Sequence, residues 1–187
     1  MGTIHPPKPV LLFMAVFSAD NAAFDWARKH VETQWGALAL ESQPFPFETF
    51  TDYYAKSMGE TLPKRLWAFE NLIIPDALPK IKCTTNNWEA EFKQLTDGSV
   101  ERPLNIDPGY IDLGKLILAS TKDHAHRIYL SEGIFAETTL MYTQKQWKPL
   151  PWTYPDYQSA GYHKFLTRCR EYLKTKRDSL QDQGRNP

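Results

Sequence analysis

Residues Gly109–Leu116 read "GYIDLGKL", and the fold turns on how they are taken. The spacing nearly matches the phosphate-binding loop, G-x-x-x-x-G-K-[ST]. A genuine loop of that kind joins a strand to a helix whose N-terminus faces the phosphates. Here the final position, which should offer a hydroxyl to Mg²⁺, is Leu116. The residues after Lys115, "LILAST", are short, apolar and followed by a polar turn, the pattern of a strand. Pro108 and Gly109 read as a turn after Asp107. The segment is therefore expected to belong to a strand region, and a nucleotide-binding fold built around it is not expected.

Upstream, Val10–Ser18 is a continuous apolar run suited to a central strand covered on both faces. Asp20 offers a helix cap, and Phe24, Ala27, Val31 and Trp35 recur at helical spacing up to Gly36. Ala37–Leu40 with Phe45 and Phe47 suggest a second strand interrupted by "QPFPF", and Lys64–Ile73 a third. Residues 49–62 read as loop or short irregular helix. Pro75 and Asp76 open a second helix striped by Leu78, Ile81, Thr85, Trp88, Phe92 and Leu95. "TDGS" ends it, and Arg102–Ile106 reads as a fourth strand. The order is that of a ferredoxin-like βαββαβ core. Three antiparallel strands, Leu116–Ser120, Arg127–Leu130 and Ile134–Met141, extend it. A last helix runs from Ser159 to about Lys176, and residues 177–187 are expected to fray. The whole is read as one α/β (α+β) domain, residues 1–187.

The chain has 187 residues, and 22 Lys plus Arg balance 22 Asp plus Glu. Zero net charge weighs against a dedicated nucleic-acid binder, despite a basic last helix. No apolar run reaches the length of a membrane helix, so no membrane partner is expected. The two cysteines, Cys83 and Cys169, form no C-x-x-C and lie on helix faces, which fits packed thiols and a cytoplasmic setting.

Arg102–Tyr142, "RPLNIDPGYIDLGKLILASTKDHAHRIYLSEGIFAETTLMY", is more distinctive than its octapeptide. With "TDYYAKSMGETL" (51–62) and "WTYPDY" (152–157) it resembles a bacterial family of uncharacterised proteins, domain of unknown function 4416, over about Lys8 to Tyr172. Some members carry a GTP-binding label. The resemblance thus implies membership and leaves the reaction and any cofactor open.

The same blocks concentrate polar groups. Strand alternation puts Asn105 and Asp107 on one face, and Glu137 with Thr139 on one face of a later strand. If the strands adjoin, these groups converge. Arg102, Asn105, Lys122 and Arg127 then suit a phosphate or carboxylate. Asp107 or Glu137 suits a base, and His126 a proton carrier. The plainer reading makes Arg102–Glu137 and Lys115–Asp107 cross-strand ion pairs. His124 and His126 share metal-pair spacing, but the turn expected at His124 breaks it, and no metal site is assigned. "FPFETFTDYY" (45–54) could stack a ring, and "WTYPDY" could form a lid. The first functional expectation is binding of a small anionic or phosphorylated metabolite, with or without catalysis. The alternative is a protein–protein interaction or homo-oligomeric module, and the third is GTP binding through residues 109–116.

Overall fold

Eight consecutive apolar side chains leave Val10–Phe17 (β1) only the interior of a sheet, and all eight are buried there. The computed structural model describes residues 2–51 and 55–183. After β1, Asp20 caps helix α1 (Asn21–Trp35) by accepting from Ala22 N–H at 2.8 Å. Strands β2 (Leu38–Glu41) and β3 (Phe45–Pro46) follow, then the short helix α2 (Ala55–Met58) and β4 (Pro63–Ile73). A 3-10 turn at Pro75–Ala77 leads into α3 (Leu78–Leu95), then β5 (Asn105–Asp112) and β6 (Lys115–Ser120). Last come β7 (Ile128–Ser131), β8 (Ile134–Thr143), β9 (Gln146–Pro149) and α4 (Ala160–Gln183).

The fold is mixed α+β, with every strand pair antiparallel. The sheet runs β2-β4-β1-β5-β6-β8-β7, with β3 beside β4 and β9 beside β8. Alternation along β1 divides its side chains between two cores. Leu12, Met14 and Val16 pack with Phe24, Ala27 and Val31 of α1 and Ile81 and Phe92 of α3. Leu11, Phe13 and Ala15 pack with Tyr162, Phe165, Leu166 and Leu173 of α4. Each large side chain so buried contributes about 2 kcal/mol. Among the described residues no helix is long and apolar enough to cross a membrane.

Several expectations need correction. Strand β5 starts at Asn105 and runs to Asp112, so Pro108 and Gly109 lie within it and are not a turn. The turn comes at Leu113–Gly114, and Gly109–Leu116 is a β-hairpin with no helix after it. Gly109 is glycine because a Cβ there would run into Ile117 O on the neighbouring strand. Strand β9 was not foreseen. Leu95, counted in the α3 stripe, is exposed. Helix α4 continues to Gln183, past the expected fraying point. Arg177 anchors it by donating to Pro9 O and, at 2.8 Å, to Asp112 Oδ1. Asp52–Tyr54 of the aromatic stretch and residues 184–187 of the tail lie outside the described residues.

Candidate functional site

The ladder between β5 and β6 runs from Asp112↔Lys115 to Gly109↔Leu118 and stops there. Pro108 follows, with no N–H to offer. Beyond it β5 stays with β1 as far as Asn105↔Phe17, and β6 stays with β8 as far as Ser120↔Phe135. The two halves of the sheet therefore part. Backbone polar groups left at such a gap need partners, and α3 supplies them. Ile106 N–H donates to Glu89 Oε1 at 2.8 Å, and Lys82 Nζ donates to Ile106 O at 3.0 Å. Lys82 Nζ also donates to Asp107 Oδ1 at 3.2 Å.

A cavity of about 620 Å³ lies at this parting, a size common for small-molecule sites. Across the sheet, Lys64, Phe17 and Asn105 are register partners and form one wall. Lys82, Asn86 and Glu89 of α3 reach in through the gap. Ser120 at the end of β6 and residues 121–122 beyond it form a rim with Arg127 and Glu137, and Tyr154–Tyr157 before α4 forms another.

Burying these charges is costly unless each is compensated, and the compensation is visible. Arg127 Nε donates to Glu137 Oε2 at 2.8 Å, and its Nη1 donates to Ser120 Oγ at 2.8 Å and Lys122 O at 3.0 Å. Thr139 Oγ1 donates to Glu137 Oε1 at 3.2 Å. Lys64 Nζ meets Asp156 Oδ2 at 2.7 Å and lies 4.2 Å from the ring centroid of Phe47 and 4.9 Å from that of Tyr157. Ring faces of this kind help hold a desolvated ammonium.

Two neighbouring carboxylates are pushed apart in acidity. Burial raises Glu89 to about 7, against the pull of Lys82, with nearby Asp107 adding to the rise. Burial also pushes Asp107 upward, but Lys82 and Lys64 outweigh it and hold that carboxyl below its ordinary value. Such a split is what an acid and a base side by side require.

Of the residues singled out in the sequence, Arg102, Asn105, Asp107, Lys122, Arg127 and Glu137 all line this cavity. His126 does not. Its Nε2 lies 3.1 Å from Glu137 Oε2, and its ring stacks between Trp152 and His124, centroids 5.0 and 5.8 Å away. It therefore backs Glu137 and does not face the cavity. The expected ion pairs have other partners. Arg102 bonds Asn105 Oδ1 and lies 3.7 Å from Glu89, while Glu137 goes to Arg127 and Asp107 to Lys82. Lys115 sits exposed at the far end of the hairpin, opposite Asp112. Among the described residues no three His, Cys, Asp or Glu side chains gather as a metal would need.

Sequence reasoning missed Lys64, Asp156 and Tyr157, and the Lys82, Asn86, Glu89 set. The last set had a signal: i, i+4, i+7 spacing forms a polar stripe beside the apolar one on α3. Its use depends on the gap between β5 and β6, which nothing local in the sequence announces.

Residues 8–172 match the model of a family described as a domain of unknown function, DUF4416, and the chain belongs to that family. No curated protein and no solved structure matches it.

Proposed function

Starting from a family with no assigned function, we propose that the cavity binds a small anionic or phosphorylated metabolite. One observation carries this reading: the sign of the charge around this partly open cavity. Among the described residues, five cations line it, Lys64, Lys82, Arg102, Lys122 and Arg127, against four carboxylates, Glu89, Asp107, Glu137 and Asp156. Burial raises Glu89 to about 7, so at neutral pH the balance among these described side chains is positive by between one and two charges. A phosphate or carboxylate entering there gains charge-assisted hydrogen bonds in a medium where they count for more than in water. The reaction class that suits the site is proton transfer. Glu89 is the group whose charge changes near neutral pH, and Asp107 is its ionised neighbour. Glu137, bound by Arg127, His126 and Thr139, suits a positioning role better than that of a base. In the same reading the β2-β4-β1-β5 half with α1 and α3 is ferredoxin-like on its strand order, and the two free cysteines suit a cytoplasmic protein.

A thermal-shift panel of sugar phosphates, carboxylic acids, ATP and GTP, with and without Mg²⁺, tests it. A ligand at 100 times its dissociation constant adds about 2.7 kcal/mol. The expected result is a shift with one anionic class, lost in Lys122→Ala and kept in Lys115→Ala. A Mg²⁺-dependent shift specific to GTP and lost in Lys115→Ala would replace this reading with the loop at 109–116.

A second reading has its own observation. Strand β7 is exposed along its whole length and presents Ile128, Tyr129 and Leu130 to solvent. Such an edge favours pairing with another chain, and the reading is a homo-oligomer joined through β7. Sedimentation across protein concentration checks it, and a monomer throughout rejects it.

A further inference from the structure

Arginine has five N–H groups to place, and the chain takes three of those on Arg127. Nε–H goes to Glu137 Oε2, and the two hydrogens of Nη1 go to Ser120 Oγ and Lys122 O. The two on Nη2 meet no acceptor among the described residues, yet Nη2 is not one of the partnerless atoms that the fold seals from solvent. The rest of the side chain is enclosed, at 4% exposure, and Arg127 lines the cavity.

Ser120 is in the complementary position. A serine hydroxyl has one hydrogen and two lone pairs. Ser120 Oγ accepts from Arg127 Nη1 at 2.8 Å and from Lys122 N–H at 3.1 Å. Both lone pairs are engaged, so its own hydrogen is left to donate, and among the described residues it has no acceptor. Ser120 lines the same cavity. The Nη1 bond joins the two groups, so their unused donors lie within about one guanidinium's breadth of each other. Adjacent donors with nothing to bond call for an acceptor with more than one oxygen.

The charge of that acceptor is restricted as well. Glu137, its side chain 3% exposed, already pairs with Arg127, and His126 Nε2 and Thr139 Oγ1 hold it in place. A doubly charged guest would set its second charge against this fixed carboxylate, and charges of one sign repel strongly where water is partly excluded. A single negative charge matches the small positive balance of the cavity.

We propose that Arg127 Nη2 and the Ser120 hydroxyl form a carboxylate seat. One carboxylate oxygen accepts from Nη2 and the other from the Ser120 hydroxyl. This rests on the anion-binding reading above and narrows the ligand class to carboxylic acids. Glu137 becomes a specificity residue, because it sets the charge that the seat accepts.

NMR titration of the full chain with acetate and with methylphosphonate, read at the backbone amides of β6 and β8, tests the proposal. The probes share a methyl group, and in mildly alkaline buffer the first carries one negative charge and the second two. Acetate should bind at least about tenfold tighter. Arg127→Lys keeps a cation for Glu137 but loses the guanidinium fork, and Ser120→Ala removes the hydroxyl. Each should weaken acetate by about tenfold. Glu137→Gln keeps an acceptor for Arg127 and removes the opposing charge. It should move the preference about tenfold toward methylphosphonate, a change that a purely structural role would not produce, and it decides the matter if the other variants do not fold. Methylphosphonate binding as tightly as acetate or more so, acetate binding unchanged in folded Arg127→Lys, or an unaltered preference in Glu137→Gln overturns the proposal and leaves the anion reading standing. If neither probe binds, the anion reading itself fails, and this proposal with it.

Discussion

The two ends of the β1–β5 ladder are built from the same strands and face the same helix, yet they hold opposite kinds of side chain. At the Leu11↔Ile111 end the α4 face carries Leu11, Ile111, Leu116 and Leu140, all fully buried. At the Phe17↔Asn105 end the same face carries Lys64, Asn105, Asp107 and Glu137. Where strand pairing is continuous, the backbone satisfies itself and the space above it is left to apolar packing. Where β5 and β6 part, charged side chains from α3 complete the backbone bonding and a polar cavity opens. The difference lies in the pairing of the strands as much as in the side chains they present.

The comparison is sharpest if damage at one end leaves the other alone. Phe13→Ala, at the dry end, should cost about 4 kcal/mol by emptying a fully buried site. Urea unfolding measures the loss, and anion affinity in the folded fraction should not change. Arg127→Leu, at the charged end, should cost about 3 kcal/mol by leaving Glu137 buried without its cation. Adding Glu137→Gln should restore part of that loss. An unaltered double mutant would mean that the pair is not what holds the rim.

The last expected effect is one of pH. Glu89 is raised in the folded protein from 4.5 to about 7, so between those values the folded state holds the proton more firmly than the unfolded one. Its contribution is complete below pH 4.5 and is lost as pH rises through 7, on the order of 3 kcal/mol in all. Asp107, held below its ordinary 3.8, acts in the opposite sense. Its contribution is present above that pH and disappears in acid. Stability of the parent should therefore fall between pH 4.5 and 7 relative to Glu89→Gln. A flat difference across that window would place Glu89 in a wetter setting than the structure gives it.

Parts of this design can be read from the chain. Strand β1 declares itself because eight apolar residues in a row have no other use, and α1 does so because Asp20, the apolar stripe and Gly36 mark its start, face and end. The cation and carboxylate set at 102–137 is legible as a concentration of polar groups on alternating strands. Other parts depend on geometry that local sequence does not encode. The second half of strand β5 hides behind Pro108, which with Gly109 reads as a turn. The β8–β9 turn places Gln144 and Lys145 at positive φ, 51° and 61°, where Asn or Gly would have announced a hairpin. His126, expected as a proton carrier, lies behind Glu137 between two flanking rings. Lys82 and Glu89 read as an ordinary solvated helix face until the gap they fill is known.

Arg177 bonds the carbonyl of Pro9, a partner 168 positions earlier in the chain, and it thereby sets a timetable. Helix α4 begins at Ala160, roughly 150 residues after β1 at Val10. At the usual pace of synthesis about ten to thirty seconds separate the emergence of the two. Through that interval Leu11, Phe13 and Ala15 have no α4 to cover them. The cavity wall contributed by Tyr154–Tyr157 is missing as well. The nascent chain thus carries its most apolar strand half uncovered until late in synthesis, a state in which chaperones would find it and in which the cavity has not yet formed.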